Sequence, residues 1–530
     1  MTTTSADQAA QTTLAGGAQR VHPDARAAMG GAVSALAALG VSELIAGILP
    51  GATSLVAAVG QVVIDLQPPG AKDLVVALFG TNDKLALELF VVAVGALIGA
   101  LLGMLARRRF GLAALGFAAF GVIGFVAALG DPLANPAIVA VSAAVSVGLA
   151  LWLLGWFLGP RPAGMAPGVA ATMPDWSRRS FLLRTGAVGV GAVIAGIGGR
   201  QLLERQRVAP AGAATAIPPA SELAPALAVG ADLAGSVPDL TPIVMPNERF
   251  YRIDTALLTP SVDTSVWTLR IHGLVEREIT LTWDELIAQP LFEQYVTIAC
   301  VSNEVGGKLV GNAKWTGVRL RHVLEMAGVQ ADATQLVGRS VDGWTAGMPM
   351  AWVMDPSREP MIAVKMNDEP LPPIHGFPAR LIVPGLYGYV SATKWLSELE
   401  VTTWEAFDGY WVPLGWSKEG PILTQARIDT PKTGRTVSGR VPIAGVAWAP
   451  DRGIQKVEVA IDDVWQEARL SSPISDATWV QWVVEWDVTP GDHTIMVRAT
   501  DGDGETQTDQ RTPPAPDGSR GWDSARVRGA

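Results

Sequence analysis

The sequence predicts a three-part architecture: an N-terminal bundle of membrane-spanning helices, then an α+β domain, then a C-terminal all-β sandwich. Three observations predict it. Residues 25–205 are nearly all Ala, Gly, Val and Leu, whereas residues 206–530 carry the Trp, Pro and Asp of a water-exposed protein. From about residue 241 to 418, short apolar runs alternate with helical patterns. After Gly420, short alternating runs are separated by turn residues, the signature of packed strands. A chain of 530 residues is too long for one core, so several domains are expected. The formal net charge of −10 excludes a nucleic-acid function, which needs a basic surface to displace counterions.

A membrane-crossing helix needs about 20 largely apolar residues. Residues 27–49, 84–106, 110–130 and 137–159 meet that requirement within a bundle spanning 25–160, and a fifth stretch lies at 185–203. Ser54–Leu66 is apolar but too short to cross, and reads as an interfacial or re-entrant segment. Arg20 and Arg26 precede the first stretch, Arg107, Arg108 and Arg109 join the second to the third, and Arg161, Arg178 and Arg179 precede the fifth. The positive-inside rule puts all of them on the cytoplasmic side with the 1–24 tail, and five crossings place everything after residue 205 outside. Glu43 lies inside the first stretch, where an ionisable side chain is a functional candidate unless it lies near the outer interface or pairs within the bundle.

Residues 175–205 carry a second signal. Ser177 opens "SRRSFLLRTGAVGVGAVIAGIGG": paired arginines, Phe and Leu, then a weakly apolar Gly/Ala run. This resembles a twin-arginine export segment, although four helices precede it; the plainer alternative is a positive flank beside an ordinary helix. Ala209, Ala211 and Ala213 are small enough for a cleavage site, and retention as an anchor is the preferred reading. The five histidines are His22, His272, His322, His375 and His493, and none lies in an apolar stretch. With a single cysteine as well, the chain is expected to hold neither a bis-His haem nor a four-thiolate iron–sulfur cluster.

In the water-exposed half, residues 206–240 have the Ala/Pro composition of a linker. "VWTLRIHGLV" alternates as a strand, "TWDELIAQP" reads as a short helix capped by Thr282, and "TGVRLRHVLEMAGV" reads as an amphipathic helix. "ARLIVPGLYG" reads as a buried strand ending in a Pro-Gly turn. Beyond Gly420, "KVEVAIDDVWQEARL", "WVQWVVEWDV" and "HTIMVRATDGDG" predict an immunoglobulin-like sandwich over 419–530. "TDGDGETQTD" lacks the ligand spacing and terminal Glu of a calcium loop, and is expected to be a solvated hairpin loop.

The one cysteine, Cys300, ends the apolar run "QYVTIAC". Three readings compete: a small buried hydrophobe, a nucleophile served by His322 or His375, and a thiolate ligand to a soft metal. No local motif of a thiol enzyme surrounds it, and one thiolate alone cannot hold a metal.

The wider pattern selects among them. "PNERFYRID" comes first, then Cys300-x-x-Asn303, then "LPPIHGFPARLIVPGLYGYVSATKWLSELEV". In this order, over about 240–530, these motifs resemble the sulfite oxidase family of molybdenum enzymes. The resemblance implies a molybdopterin-binding oxidoreductase domain over 241–418 and a dimerisation-type Ig-like domain over 419–530. It implies a molybdenum–pyranopterin cofactor, with Cys300 as the protein's metal ligand beside two sulfurs of the pterin. By motif position, Asn247, Phe250, Tyr251, Asn303, His375, Arg380 and Lys394 would contact the cofactor. Tyr410, in "DGYWVPLGW", resembles on a looser match the tyrosine beside the metal's oxo group; the plainer alternative is a packing aromatic.

The chain departs from the family's sulfite-oxidising members where they carry substrate-binding arginines: here stand Glu304, Val305 and Ile253, with Arg252 adjacent. That weakens the case for a small dianion. Two-electron oxygen-atom transfer on a small sulfur or nitrogen compound is expected, with sulfoxide or N-oxide reduction as the alternative to sulfite oxidation. The "R-V-E" of the family's methionine-sulfoxide-reducing branch is absent too. Since no second redox centre is legible, electrons would pass through an external partner, a cytochrome or a quinone-linked membrane protein. The contrary reading is a non-catalytic, membrane-anchored binding protein on a degenerate domain.

Overall fold

The computed structural model describes residues 22–67, 78–79, 83–131, 133–159, 174, 176–208 and 216–530. The chain divides into two compact units, 1–206 and 207–530. Arg20, Arg161, Ala209, Ala211 and Ala213 lie outside the described residues.

The first unit is helical: α1 (Pro23–Ile48), α2 (Leu55–Leu66), α3 (Asp83–Arg108), α4 (Phe110–Ala128), α5 (Pro136–Leu158) and α6 (Arg178–Val208). Five of these are long and apolar enough to cross a membrane, and α2, at 12 residues, is not. Asn135 caps α5 by accepting from the N–H groups of Ala137 and Ile138, with Pro136 at the first helical position. Glycines let the backbones touch. A Cβ on Gly31 would sit 2.1 Å from the Gly99 carbonyl oxygen, and one on Gly40 2.4 Å from that of Ala192, so α1 packs on both α3 and α6 through small residues. Leu85, Leu89, Leu97 and Leu101 of α3 point outward, as a lipid-facing stripe would. Glu43 is paired inside the bundle: its carboxylate accepts from Ser54 Oγ at 2.6 Å and from the Val56 N–H at 3.4 Å. Arg200 of α6 meets Glu88 of α3 at 2.6 Å.

Among the described residues the second unit contains four sheets. One has the order β2-β1-β10-β5-β6, from β1 (Thr268–Gly273), β2 (Ile279–Thr282), β5 (Gln335–Ser340), β6 (Thr345–Pro349) and β10 (Leu396–Thr402). Its β1–β10 pair is parallel. The other sheet of this domain runs β3-β4-β7-β8 with β9 also on β7, from β3 (Leu291–Ala299), β4 (Val310–Arg319), β7 (Met361–Met366), β8 (Glu369–Pro370) and β9 (Arg380–Ile382). Short helices fill the connections: α7 (Trp283–Ile287), α8 (Leu320–Ala327), α9 (Met350–Met354) and α10 (Gly388–Ser391). Thr282 and Glu285 form the capping box expected at α7. The predicted amphipathic helix starts later than the sequence suggested. Thr316–Arg319 continue β4, because Gly317 and Val318 are buried against Ala363 and Ile362 of β7, and the helix begins at Leu320.

Residues 425–529 form the expected sandwich. One sheet runs β11-β13-β17-β16 and the other β12-β19-β18-β14-β15. Its strands are β11 (Gln425–Thr430), β12 (Thr436–Val437), β13 (Arg440–Trp448), β14 (Ile454–Ile461), β15 (Val464–Glu467), β16 (Arg469–Leu470), β17 (Val480–Asp487), β18 (Gly491–Asp501) and β19 (Asp523–Gly529). Ile443, Trp482, Val484, Val457, Val497 and Val527 fill the space between the sheets.

One expectation of composition fails. From residue 216 the Ala/Pro stretch is an ordered strap rather than a loose linker. Ser221 and Glu222 hydrogen-bond along β3 at Leu291 and Glu293. Further on, Leu233, Val237 and Leu240 are buried against Ala444 and Val483 on the outer face of the sandwich, and the Leu233 N–H donates to Gln481. The apolar side chains at positions 233, 237 and 240 find a sheet face to cover, which overrides the disordering effect of the neighbouring prolines.

Candidate active site around Cys300

Strands β3 and β4 pair antiparallel as far as Ala299–Val310, and the ten residues between them, 300–309, form the turn that carries Cys300. The turn is closed from within. The Cys300 N–H donates to the Leu309 carbonyl at 2.9 Å, the Asn303 N–H returns to the Cys300 carbonyl at 3.0 Å, and Asn303 Oδ1 accepts from the Leu309 N–H at 2.8 Å. The thiol is buried, Glu304 and Lys308 are exposed. Asn303 therefore shapes the cysteine turn, with its side-chain oxygen already engaged.

The segment before β1 brings Asn247, Phe250 and Tyr251 onto β4 and the 373–380 loop. Phe250 stacks on Tyr251 at 5.2 Å and meets Trp315 and His375 edge-on at 5.9 and 5.7 Å. The Asn247 carbonyl accepts from His375 Nε2 at 2.8 Å, which fixes the ring's tautomer: the proton is on Nε2 and the lone pair on Nδ1. Burial pushes the His375 imidazole down to about 4, so it is neutral at physiological pH. Asn247 Nδ2 donates to Met366 O and to Glu369, so its amide is a structural tie and its backbone serves His375.

Arg380 opens β9 and is 4% exposed. Nη1 donates to the His375 carbonyl at 3.1 Å, the guanidinium lies 5.2 Å from the Trp315 ring centroid, and Nε has no partner. It forms no ion pair among the described residues, and burial lowers it to about 10. Lys394 is also buried; its ammonium donates to Asp254 at 2.7 Å and to the Ile374 carbonyl at 3.2 Å, and burial lowers it to about 8. At neutral pH the pocket thus keeps two buried cations, one balanced by Asp254 and one by no carboxylate.

Tyr410 has its N–H on the Thr345 carbonyl of β6 and its ring edge-on to Trp411 at 5.1 Å. Tyr251 and Tyr387 are phenols with Cys300 in their surroundings. Both are pushed up by burial first and by Cys300 next, Tyr387 to about 12, so both remain proton donors. Tyr387 was legible only as the aromatic after the "VPGL" turn that follows β9. His322 is not part of the site; it sits on α8 facing Gln289.

These residues suit an anionic, sulfur-bearing cofactor. Among the described residues no three His, Cys, Asp or Glu side chains converge as a metal site, so a metal at Cys300 would draw its other ligands from a non-protein group. The buried guanidinium with an unpartnered Nε is a donor awaiting an acceptor, as a phosphate or pterin would provide.

Residues 256–411 match the family model of the oxidoreductase molybdopterin binding domain, and residues 425–497 that of a bacterial Ig domain. The chain is 30% identical over 321 residues to mitochondrial sulfite oxidase of Homo sapiens, covering 51% of this chain and 58% of that one. It is 29% identical over 317 residues to nitrate reductase [NADH] 1 of Oryza sativa subsp. japonica, covering 47% of this chain and 34% of that one. It is 33% identical over 181 residues to the uncharacterized oxidoreductase YuiH of Bacillus subtilis, covering 33% of this chain and 87% of that one. The chain spans somewhat more than half the length of the sulfite oxidases it matches.

Proposed function

Because the chain belongs to the sulfite oxidase family of molybdopterin-dependent oxidoreductases, we propose that it is a membrane-anchored, extracytoplasmic enzyme of two-electron oxygen-atom transfer on a small sulfur or nitrogen compound. The observation that carries the reading is the pairing of a lone buried thiol, Cys300, with an uncompensated buried guanidinium, Arg380, in one domain.

Molybdenum–pyranopterin, when bound, supplies the redox couple and the exchangeable oxygen. This chain's residues do the rest. Cys300 would give the metal its protein thiolate. Arg380 and Lys394 would hold the anionic pterin, and neutral His375 would offer its Nδ1 lone pair to a pterin N–H. Tyr251 and Tyr387, kept protonated by burial, would offer hydroxyl donors to an oxygen near Cys300. Tyr410 remains a candidate for that role through the resemblance alone. A small-molecule substrate and an external one-electron partner, a cytochrome or a quinone-linked membrane protein, complete the cycle. Five apolar helices would hold the enzyme in the membrane, with α6 as a retained twin-arginine-type anchor and the sandwich as a dimerisation surface.

A reductive direction, on a neutral sulfoxide or N-oxide, is favoured over sulfite by the local charges. Ile253 and Glu304 are exposed, and Arg252 is engaged by Asp254 at 3.0 Å. Reduction consumes two electrons and two protons and releases water, whereas sulfite oxidation runs the electrons outward. The deciding experiment is molybdenum content per chain of membrane-purified protein beside Cys300→Ala. Near one metal in the wild type and a loss or an altered absorption in the variant support the reading. A folded, metal-free wild type from a host that makes the cofactor returns the chain to the non-catalytic alternative. Turnover with artificial electron donors against acceptors then fixes the direction.

A further inference from the structure

The cysteine turn is tied within itself along one side only. Its other side presents the carbonyls of Asn303 and Gly307, and buried carbonyls need donors. Both donors come from the sandwich, more than a hundred residues away. Ser519, 1% exposed, donates its hydroxyl to the Asn303 carbonyl at 2.6 Å, while its own carbonyl accepts from Gln425 Nε2 at 2.6 Å. Arg427 donates from Nη1 to the Gly307 carbonyl at 2.9 Å, and is itself aimed by Asp429 at 2.8 Å and Thr241 at 2.9 Å. Between them Gly306 has φ +77°, and a Cβ there would sit 2.4 Å from an Asp523 carboxylate oxygen, so the turn and β19 fit without room for another side chain. The same sandwich loop presses on the site a second time: a Cβ on Gly518 would lie 2.7 Å from the Tyr387 hydroxyl.

We propose that Ser519 and Arg427 of the sandwich are positioning residues for Cys300, holding the far side of its turn so that the thiol is presented in one place. The sandwich is then a working part of the site as well as a candidate dimerisation surface. This proposal rests on the reading of Cys300 as the metal's protein ligand.

The single cysteine makes the test unambiguous, because any thiol alkylation reports on position 300. Full-length wild type, Ser519→Ala, Ser519→Thr and Arg427→Lys are purified from a host that supplies molybdenum cofactor and from one that does not. In cofactor-free protein, alkylation by a small maleimide requires the turn to open. Ser519→Ala is expected to react roughly fivefold to tenfold faster than wild type, the factor one ordinary hydrogen bond contributes to an equilibrium. Ser519→Thr, which keeps the hydroxyl, returns to the wild-type rate. In loaded protein, Ser519→Ala keeps its molybdenum but shifts the sulfur-to-molybdenum absorption band. A Ser519→Ala protein with the wild-type alkylation rate and the wild-type band overturns the proposal. If Ser519→Ala does not fold, Arg427→Lys carries the same comparison. A wild type without molybdenum in the supplying host overturns the functional reading, and the alkylation series still decides the positioning claim.

Discussion

At Arg380 a buried charge has different consequences with and without a bound anion. An ionised group in the core without a carboxylate destabilises the empty protein, yet the same charge attracts an anionic cofactor. Arg380→Met is therefore expected to raise the melting temperature of cofactor-free protein, by about 1–3 kcal/mol in stability, while lowering retained molybdenum several-fold. Thermal melts and metal analysis on the two preparations check both signs. His375 gives a pH dependence. Its folded value, about 4, lies below its ordinary 6.5, so the unfolded chain binds the extra proton between them. The stability it contributes is present above about 6.5 and is lost as pH falls toward about 4, by about 3 kcal/mol in all. Denaturant titrations of cofactor-free His375→Gln across that window are expected to show a flatter acid limb than wild type. Lys394 acts at the other end: in cofactor-free protein the pocket sheds one positive charge as pH rises through about 8. That Tyr387 has Cys300 in its surroundings was not legible in sequence, because the two come together only after β9 and the turn behind it are folded.

Among elements, the apolar helices and the alternating strands were legible because each writes a one-dimensional period into its own residues. The strap was not. Its Ala/Pro composition is that of a linker, and Leu233, Val237 and Leu240 acquire meaning only against Ala444 and Val483, more than 200 positions away. Truncating Leu233 to Ala is expected to cost about 2–4 kcal/mol, as for other buried leucines. Limited proteolysis should then cut within the strap before it cuts the strands. The start of α8 was misplaced for a related reason, since pairing with β7 decides the fate of Thr316–Arg319 and helical periodicity does not. In the bundle, the contact of Gly31 with Gly99 and Gly103 leaves no room for a side chain. Gly31→Leu is expected to separate α1 from α3 and to lower the melting temperature in detergent by well over ten degrees, as overpacking by whole side chains does.

For the whole molecule, the first and last parts of the water-exposed unit interlock. Residues 233–240 of the strap lie on strands formed by residues 440–487, and the turn at 300–309 accepts hydrogen bonds from Ser519 and Arg427. If the unit lies outside the membrane, an Ala530→Cys chain should react on intact cells with a membrane-impermeant maleimide, while Arg108→Cys should not; the reverse pattern would refute the proposed topology. The bracing also fixes an order of events during synthesis. Leu233 bonds to Gln481, 248 positions later, and Asn303 to Ser519, 216 positions later. A growing chain cannot complete the first contact before residue 481 has left the ribosome, nor the second before residue 519. Until Ser519 is made, Arg427 on the Gly307 carbonyl is what holds the far side of the Cys300 turn. A transcript cut short near residue 515 would therefore yield a chain that carries every predicted cofactor contact but lacks the Ser519 donor to the cysteine turn.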